Sequence, residues 1–159
     1  MFVICHNIRS AHNVGSVFRT ADGVGVKKIY LCGYTPHPPH PMISKVALGA
    51  EENIPWEKCS RVSAVIGKLR KEKFKIAAIE QSSRSKVYTA FKLLKGDVCL
   101  VLGNEVRGLS QALLDKCDEV LEIPMRGKKE SLNVSVAFGI VAYHLTMSNA
   151  NANGQFWRQ

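Results

Sequence analysis

Short apolar runs alternate with segments of helical periodicity along this chain, and no other feature limits its possible folds as much. The apolar runs predict strands at residues 2–5, 27–32, 74–79, 97–102 and 119–123. A further strand at 53–57 is predicted for an edge of the sheet, because Pro55 lacks the N–H that an inner strand needs. Helices are predicted near Phe91 and at about 14–22, 43–48, 62–71, 109–116 and 134–145. The alternation predicts an α/β fold, with a mostly parallel sheet covered by helices on both faces.

A length of 159 residues suits one domain with a single core. We assign residues 1–148 to this domain and expect residues 149–159, which are rich in asparagine, to form a flexible tail. The longest apolar run, 134–145, is shorter than the about 20 residues that a membrane-spanning helix needs, and the N-terminus shows no signal-peptide pattern. We therefore expect a cytoplasmic protein without a membrane partner.

Five cysteines are scattered along the chain and none forms a C-x-x-C pair, which argues against a disulfide framework and a zinc site. Most lie in apolar runs, so we predict buried thiols. His37 and His40 lie in a proline-rich loop, but their neighbours do not complete a tetrahedral ligand set. We expect no bound metal.

The net charge of +9 is the strongest clue from composition. A small basic domain binds polyanions through counterion release, so nucleic acid is the expected partner and a generally basic surface is the alternative. The basic residues partly cluster, and those that we expect to contact phosphates are Lys68, Arg70, Lys71, Arg84, Lys86, Arg126, Lys128 and Lys129.

The junction at residues 123–133 is a candidate ligand site. An apolar strand ends at Pro124, a polar loop follows, and the apolar helix begins directly after it. Free N–H groups at the start of a helix can bind an acceptor on a ligand. Ser131 or Asn133 can instead serve only as the helix cap, so the junction alone leaves both interpretations open.

Two other polar segments stand at element boundaries. After the strand at 97–102, Gly103 lets a ligand approach the backbone, and Glu105 can anchor hydrogen-bond donors, although a solvated turn is the alternative. Near the N-terminus, Asn13 and Arg19 lie at the first helix and can hold a phosphate. Alternatively, Asn13 is the N-cap and Arg19 forms a surface ion pair.

Together these segments resemble the three motifs of the ribose methyltransferases of the SPOUT superfamily, the SpoU or TrmH family. The motifs are N-x-G-x-x-x-R at 13–19, L-G-N-E-x-x-G at 102–108, and I-P-M at 123–125 followed by S-L-N-V-S-V-A at 131–137. Residues 45–51 also look like the family's segment between motifs. The resemblance extends from about Val3 to Leu145.

The resemblance implies a homodimeric enzyme that transfers a methyl group from S-adenosylmethionine (AdoMet) to a ribose 2′-oxygen of RNA without a metal. It also implies a trefoil knot near the C-terminus, which sequence physics would not propose because knots are rare. We expect transfer RNA as substrate ahead of ribosomal RNA. An accessory protein for substrate recognition and a noncatalytic RNA-binding dimer are the alternatives that we keep.

Motif matching implies two sets of site residues. The residues expected to line the cofactor pocket are Ile79, Gly103, Ile123, Met125 and Leu132. Those at polar catalytic positions are Arg19, Asn13, Glu105, Ser131 and Asn133. The family proposal makes Arg19 the base, in the partner subunit's site. Because arginine normally stays protonated, clamping a phosphate and stabilising the alkoxide is the alternative role.

Overall fold

The computed structural model describes the backbone of residues 1–92 and 96–153, and the side chains of that part as far as residue 148. Within it, seven strands form one sheet in the order β3-β2-β1-β6-β4-β7-β5. All neighbouring strands are parallel. The strands are β1 (Phe2–His6), β2 (Lys28–Cys32), β3 (Trp56–Cys59), β4 (Lys75–Ile79), β5 (Lys86–Val87), β6 (Val98–Leu102) and β7 (Glu119–Glu122). The predicted α/β class with a mostly parallel sheet is confirmed.

The helices differ from their predicted bounds mainly at their ends. They are α1 (Ala11–Gly23), α2 (Pro41–Ala47), α3 (Ala50–Asn53), α4 (Val62–Lys71), α5 (Gln111–Leu114) and α6 (Val134–Asn153). Helix α4 has the predicted bounds, whereas α5 is shorter than predicted. Helix α6 continues past the predicted end at Leu145 as far as Asn153, and residues 154–159 of the predicted tail lie outside the described part.

Three short elements were misassigned or missed, and one of them is helix α3, where no helix was predicted. The helical stretch predicted near Phe91 is a single 3₁₀ turn at Tyr88–Ala90. Strand β5 has only two residues, too few to show a strand periodicity, and it is recognised by its parallel pairing with β7. Strand β3 lies at the edge of the sheet, as Pro55 predicted, but it begins only after the proline and extends over Trp56–Cys59 instead of 53–57.

Alternating side chains along the strands build one apolar layer on each face of the sheet. On one face, α1, α2, α3 and α6 cover inward-facing residues such as Val3, Leu31 and Leu100. On the other face, α4 and α5 cover Ile4 and Val101. Both faces of the central strands are buried, as expected of a parallel sheet.

Four of the five cysteines are buried thiols, as predicted. Cys59 is the exception, because it lies on edge strand β3 and is partly exposed. Burial raises the pKa of Cys32 to about 12 and that of Cys117 to about 11, so these thiols stay protonated at neutral pH.

The two histidines of the proline-rich loop have structural roles. A ring nitrogen of His40 accepts a hydrogen bond from the N–H of Met42 and caps α2, and the ring of His37 stacks on Trp56. Within residues 1–92 and 96–148 the side chains form no cluster with the ligands for a metal ion. In the same ranges no helix has the length and apolar character needed to cross a membrane.

Candidate functional site

A cavity of about 620 Å³ opens at the carboxyl ends of strands β4, β6 and β7. Ligands of open parallel sheets bind at this end of the strands. Its walls come from the segments that follow these strands and from the start of α6, and include Glu80, Asn104, Glu105, Leu109, Leu121 and Val134.

All five residues predicted to line a cofactor pocket lie in this cavity: Ile79, Gly103, Ile123, Met125 and Leu132. Four of them contribute apolar side chains from three different segments. A cavity that combines apolar side chains with polar groups is typical of a small-molecule site. The structure therefore brings together residues that lie as far apart in sequence as Ile79 and Leu132.

Three of the five predicted catalytic residues also line the cavity, namely Glu105, Ser131 and Asn133. Asn13 lies beside them and contacts two of them through its amide group. Arg19 is exposed on α1 and is not part of the cavity wall of its own chain.

Glu105 joins the loop after β6 to the start of α1. One carboxylate oxygen accepts hydrogen bonds from the N–H of Ser10 at 3.0 Å and from Nδ2 of Asn13 at 2.9 Å, and the other accepts one from the N–H of Arg9 at 2.8 Å. Desolvation by burial favours a higher pKa for Glu105, but these hydrogen bonds outweigh it and hold the pKa below its ordinary value. The carboxylate is therefore ionised and saturated with donors from its own chain.

Asn13 extends this bridge to the third motif, because its Oδ1 accepts a hydrogen bond from Nδ2 of Asn133 at 3.0 Å. We name the three hydrogen-bonded side chains of Glu105, Asn13 and Asn133 the motif bridge. Asn13 is not the N-cap of α1: Ser10 is, through its hydroxyl oxygen, which accepts from the N–H of Asn13 at 3.3 Å. The side chain of Asn13 is buried, and its amide group makes both hydrogen bonds of the bridge.

Asn133, and not Ser131, is the residue that caps the start of α6. Its Oδ1 accepts from the N–H of Ser135 at 2.9 Å, and its backbone carbonyl accepts from the N–H of Ala137 at 2.9 Å. Asn133 is therefore both the helix cap and a member of the motif bridge. Ser131 is exposed at the cavity and is not the cap.

Gly103 is required for a reason other than the predicted one. A Cβ atom at this position would lie 2.8 Å from the backbone carbon of Gly108 and 2.9 Å from the backbone nitrogen of Leu109. The space beside Gly103 is thus filled by its own loop. The glycine permits that loop to fold back on itself, whereas the sequence suggested room for a ligand.

Glu80 and Asn104 also line the cavity, although neither was among the predicted site residues. The carboxylate of Glu80 accepts hydrogen bonds from the N–H groups of Leu109 and Gln81, which fixes the loops after β4 and β6 to each other. Asn104 is buried, and its Oδ1 accepts from the N–H groups of Val106 and Arg107. The available signals were a carboxylate directly after a strand, as at Glu105, and an asparagine that closes a turn.

Part of the predicted phosphate-contacting set is already engaged within the fold. Arg70 forms an ion pair with Asp118, Lys86 forms one with Glu119, and the guanidinium of Arg84 donates to the carbonyls of Leu114 and Cys117. These three side chains hold elements together at the amino ends of the strands and at β5. Contact of these three with phosphates stays a prediction.

The sequence of residues 1–143 matches the family model described as the SpoU rRNA Methylase family. The chain belongs to the SpoU rRNA methylase family. The match includes all three motifs up to the first turns of α6, and the family resemblance that the motifs indicated is confirmed.

Curated and solved SpoU relatives agree with this assignment. The chain is 33% identical to the 23S rRNA (guanosine-2′-O-)-methyltransferase RlmB of Coxiella burnetii over 91% of its own length, but it spans only 57% of that protein. An AdoMet-bound rRNA methyltransferase from Sinorhizobium meliloti has a TM-score of 0.85 and 27% identity, over 90% of this chain and 54% of that one. The TrmH/SpoU tRNA modifying enzyme of A. aeolicus has a TM-score of 0.85 and 28% identity, over 96% and 76%. The fold is thus that of SpoU methyltransferases, and the trefoil knot stays a prediction.

Proposed function

We propose that this chain is a methyltransferase domain that uses AdoMet to methylate a ribose 2′-hydroxyl of RNA. The observation that carries the proposal is the convergence of all three motifs on one cavity, held by the motif bridge. The chain spans just over half of the curated relatives named above, so the activity of the whole protein is included in this proposal.

The cavity fits the proposed cofactor in size and chemistry. Its volume of about 620 Å³ lies within the range of about 300–1,000 Å³ that is usual for small-molecule sites. Ile79, Ile123 and Leu132 offer apolar surface to a purine ring, and the backbone of the surrounding loops offers donors and acceptors to its edge. When bound, AdoMet supplies an electrophilic methyl carbon, so the protein has to orient the ribose and remove a proton.

Arg19 needs a second copy of the chain to reach such a cavity. Asn13 and Arg19 are six positions apart on α1, which places their side chains about 120° apart around the helix axis. Asn13 points to Glu105 and Asn133 at the cavity of its own chain, so Arg19 points in another direction. We propose that it enters the cavity of the partner subunit in a homodimer, where it binds a phosphate or assists proton removal.

Helix α6 has the surface that such a dimer requires. Its described residues are apolar on all sides, yet Val136, Tyr143 and Met147 are 49%, 45% and 38% exposed. A helix that is apolar all round is normally buried on all sides. Helix α1 packs beside α6, so a second copy seated on α6 would also meet α1. This neighbourhood supports the transfer of Arg19 between subunits.

Ribosomal RNA is the substrate that we now place first. The sequence favoured transfer RNA, but the relative at 33% identity is named as a 23S rRNA enzyme. The exposed basic residues that remain available for phosphates include Arg126, Lys128 and Lys129, in the loop that precedes α6. Their position next to the cavity supports an RNA substrate of either kind, and the cytoplasmic location is kept as part of the proposal.

A transfer assay with two RNA pools tests the proposal. The protein is incubated with methyl-labelled AdoMet and with unmodified transcripts of either ribosomal or transfer RNA, and cofactor binding is measured in parallel by calorimetry. We expect incorporation into ribosomal RNA. Incorporation only into transfer RNA would reverse the substrate order, and rescue by a cell extract would indicate an accessory protein.

Two variants connect the activity to the cavity. Leu132→Ala removes an apolar wall that precedes α6 and should weaken AdoMet binding, while Leu48→Ala removes an exposed side chain outside the cavity and should not. Measurable AdoMet binding without incorporation into either RNA would contradict the enzyme proposal and favour the noncatalytic RNA-binding dimer.

A further inference from the structure

Tyr34 is an aromatic residue without a core role at the carboxyl end of the sheet. It follows β2, and 59% of it is exposed. We propose that its ring is a stacking platform for a nucleobase of the substrate RNA, next to the ribose that is methylated. The proposal rests on the RNA methyltransferase function above and adds a residue outside the three motifs to it.

The backbone that carries Tyr34 is fixed on both sides. The N–H of Gly33 donates to the carbonyl of Cys59 at 3.0 Å, and the N–H of Tyr34 donates to Oδ1 of Asn7 at 3.3 Å. Gly33 has φ of +65°, in the left-handed region that glycine adopts easily. These contacts tie the segment to β3 and to the loop after β1.

Thr35, the residue that follows Tyr34, also holds this backbone in place. It is fully buried, its hydroxyl donates to the carbonyl of Cys32 at 2.7 Å, and its oxygen accepts from the N–H of Ile8 at 3.1 Å. Its own carbonyl accepts from Nζ of Lys58 at 2.6 Å. An exposed ring on such a rigid backbone loses little conformational entropy when a ligand stacks on it.

The ring is also held at its far end, beside the cavity. The hydroxyl of Tyr34 accepts a hydrogen bond from Nδ2 of Asn104 at 3.0 Å, and Asn104 lines the cavity between Gly103 and Glu105. The same Nδ2 donates to the carbonyl of Asn7 at 2.9 Å. The hydroxyl tether therefore directs the ring toward the border of the proposed reaction site.

A nucleobase is the ligand that suits this arrangement. Sequence-tolerant binding of single-stranded RNA relies on bases that stack on aromatic side chains within a positively charged surface. Tyr34 offers a π face, and the cationic Lys58 contacts the same loop. Arg9, exposed in the loop after β1, adds a second cation at this end of the sheet. An apolar partner protein would gain little from a single exposed ring on a surface that also carries these cations.

Three substitutions of Tyr34 separate stacking from a structural role. Tyr34→Ala removes the ring and the tether, Tyr34→Leu keeps apolar bulk without a π face, and Tyr34→Phe keeps the ring without the tether. Binding is measured with a fluorescent 12-nucleotide single-stranded RNA of randomised sequence. We expect about five- to 150-fold weaker binding for the Ala variant, the loss that corresponds to one stacked base. We expect a loss of about threefold or less for Tyr34→Phe.

Further readouts make the test specific. The salt dependence of binding should be the same for the Ala variant and the wild type, because stacking releases no counterions. AdoMet affinity should be unchanged, and Met42→Ala, which removes another exposed apolar side chain, should bind RNA as the wild type does. Methyl transfer by Tyr34→Ala should show a raised KM for RNA and a kcat within about threefold of wild type.

Several outcomes would overturn the stacking proposal. Wild-type RNA binding by Tyr34→Ala or Tyr34→Leu would do so, and so would a loss in Tyr34→Phe as large as that in Tyr34→Ala, which would assign the effect to the tether. If the wild type binds RNA but transfers no methyl group, the proposed function fails while the stacking result stands. If the wild type methylates RNA and Tyr34→Ala has the same KM, only the stacking proposal fails.

Discussion

Replacement of Glu105 by alanine removes the carboxylate at the start of the motif bridge. The carboxylate accepts three hydrogen bonds, from the N–H groups of Arg9 and Ser10 and from the amide of Asn13. The bond from Arg9 is exposed, so water can replace it. The other two are partly buried, and bonds to a charged group contribute about 1.5–3 kcal/mol each. With the low end taken because solvent screens the site, Glu105→Ala should lower the free energy of unfolding by about 3 kcal/mol.

Urea denaturation followed by circular dichroism measures this change. All variants are compared at one protein concentration, because the stability of the proposed dimer would depend on concentration. The m-value should stay constant, so that the midpoint alone moves. Glu105→Gln is the matched control. Its amide oxygen can still accept from Ser10 and Asn13, and the expected loss is about 1 kcal/mol, because bonds to a charged acceptor become weaker bonds to a neutral one.

A double-mutant cycle tests whether the bridge acts as a unit. Glu105 and Asn133 both contact Asn13, so Glu105→Ala and Asn133→Ala should be non-additive, with a coupling of about 0.5–3 kcal/mol. If Glu105→Ala unfolds within about 0.5 kcal/mol of wild type, the hydrogen bonds do not stabilise the fold and the reasoning is refuted.

Three other properties can be predicted from the same structure. Arg19→Ala should slow single-turnover methyl transfer by about 100-fold or more without loss of AdoMet affinity, and the rate of Arg19→Lys should lie between those of Arg19→Ala and the wild type. Near-normal transfer by Arg19→Ala would remove Arg19 from the mechanism. The wild type should exceed Glu105→Gln in free energy of unfolding by a constant amount above about pH 5. This difference should shrink as the pH falls below 4.5, because the pKa of Glu105 is lowered in the folded protein and protonation of the carboxylate removes its advantage. A difference that stays constant down to acid unfolding would contradict this. A thiol reagent should modify Cys59 alone in the native protein and all five cysteines after unfolding; rapid modification of several native thiols would refute the assigned burial.

The periodic elements could be predicted because their patterns are local. Helix α4 has the predicted bounds, and the predicted strands other than β3 differ by about one residue at an end, because one buried face or one apolar run defines each of them. Strand β5 could not be predicted, because its two residues depend on pairing with β7. Whether the chain is knotted depends on its path in space, which no local pattern encodes.

The site could be predicted in its composition but not in its connections. A capping role was the alternative for Asn13, because asparagine is a frequent cap, yet Ser10 caps α1 and leaves the Asn13 amide for Glu105. That contact joins residues 92 positions apart, so only the folded chain reveals it. Glycine is likewise needed at position 103 because Leu109 packs against it, a contact that depends on how the loop folds.

The central claim is methyl transfer to the ribose, and the position of the label in the RNA tests it directly. A 2′-O-methyl group blocks alkaline cleavage of the following phosphodiester, because the 2′-oxygen is the nucleophile of that cleavage. After incubation with methyl-labelled AdoMet and ribosomal RNA transcripts, the RNA is hydrolysed in alkali and the products are separated by length. We predict that the label is recovered in alkali-resistant dinucleotides. Label in mononucleotides would show base methylation and would contradict the assignment.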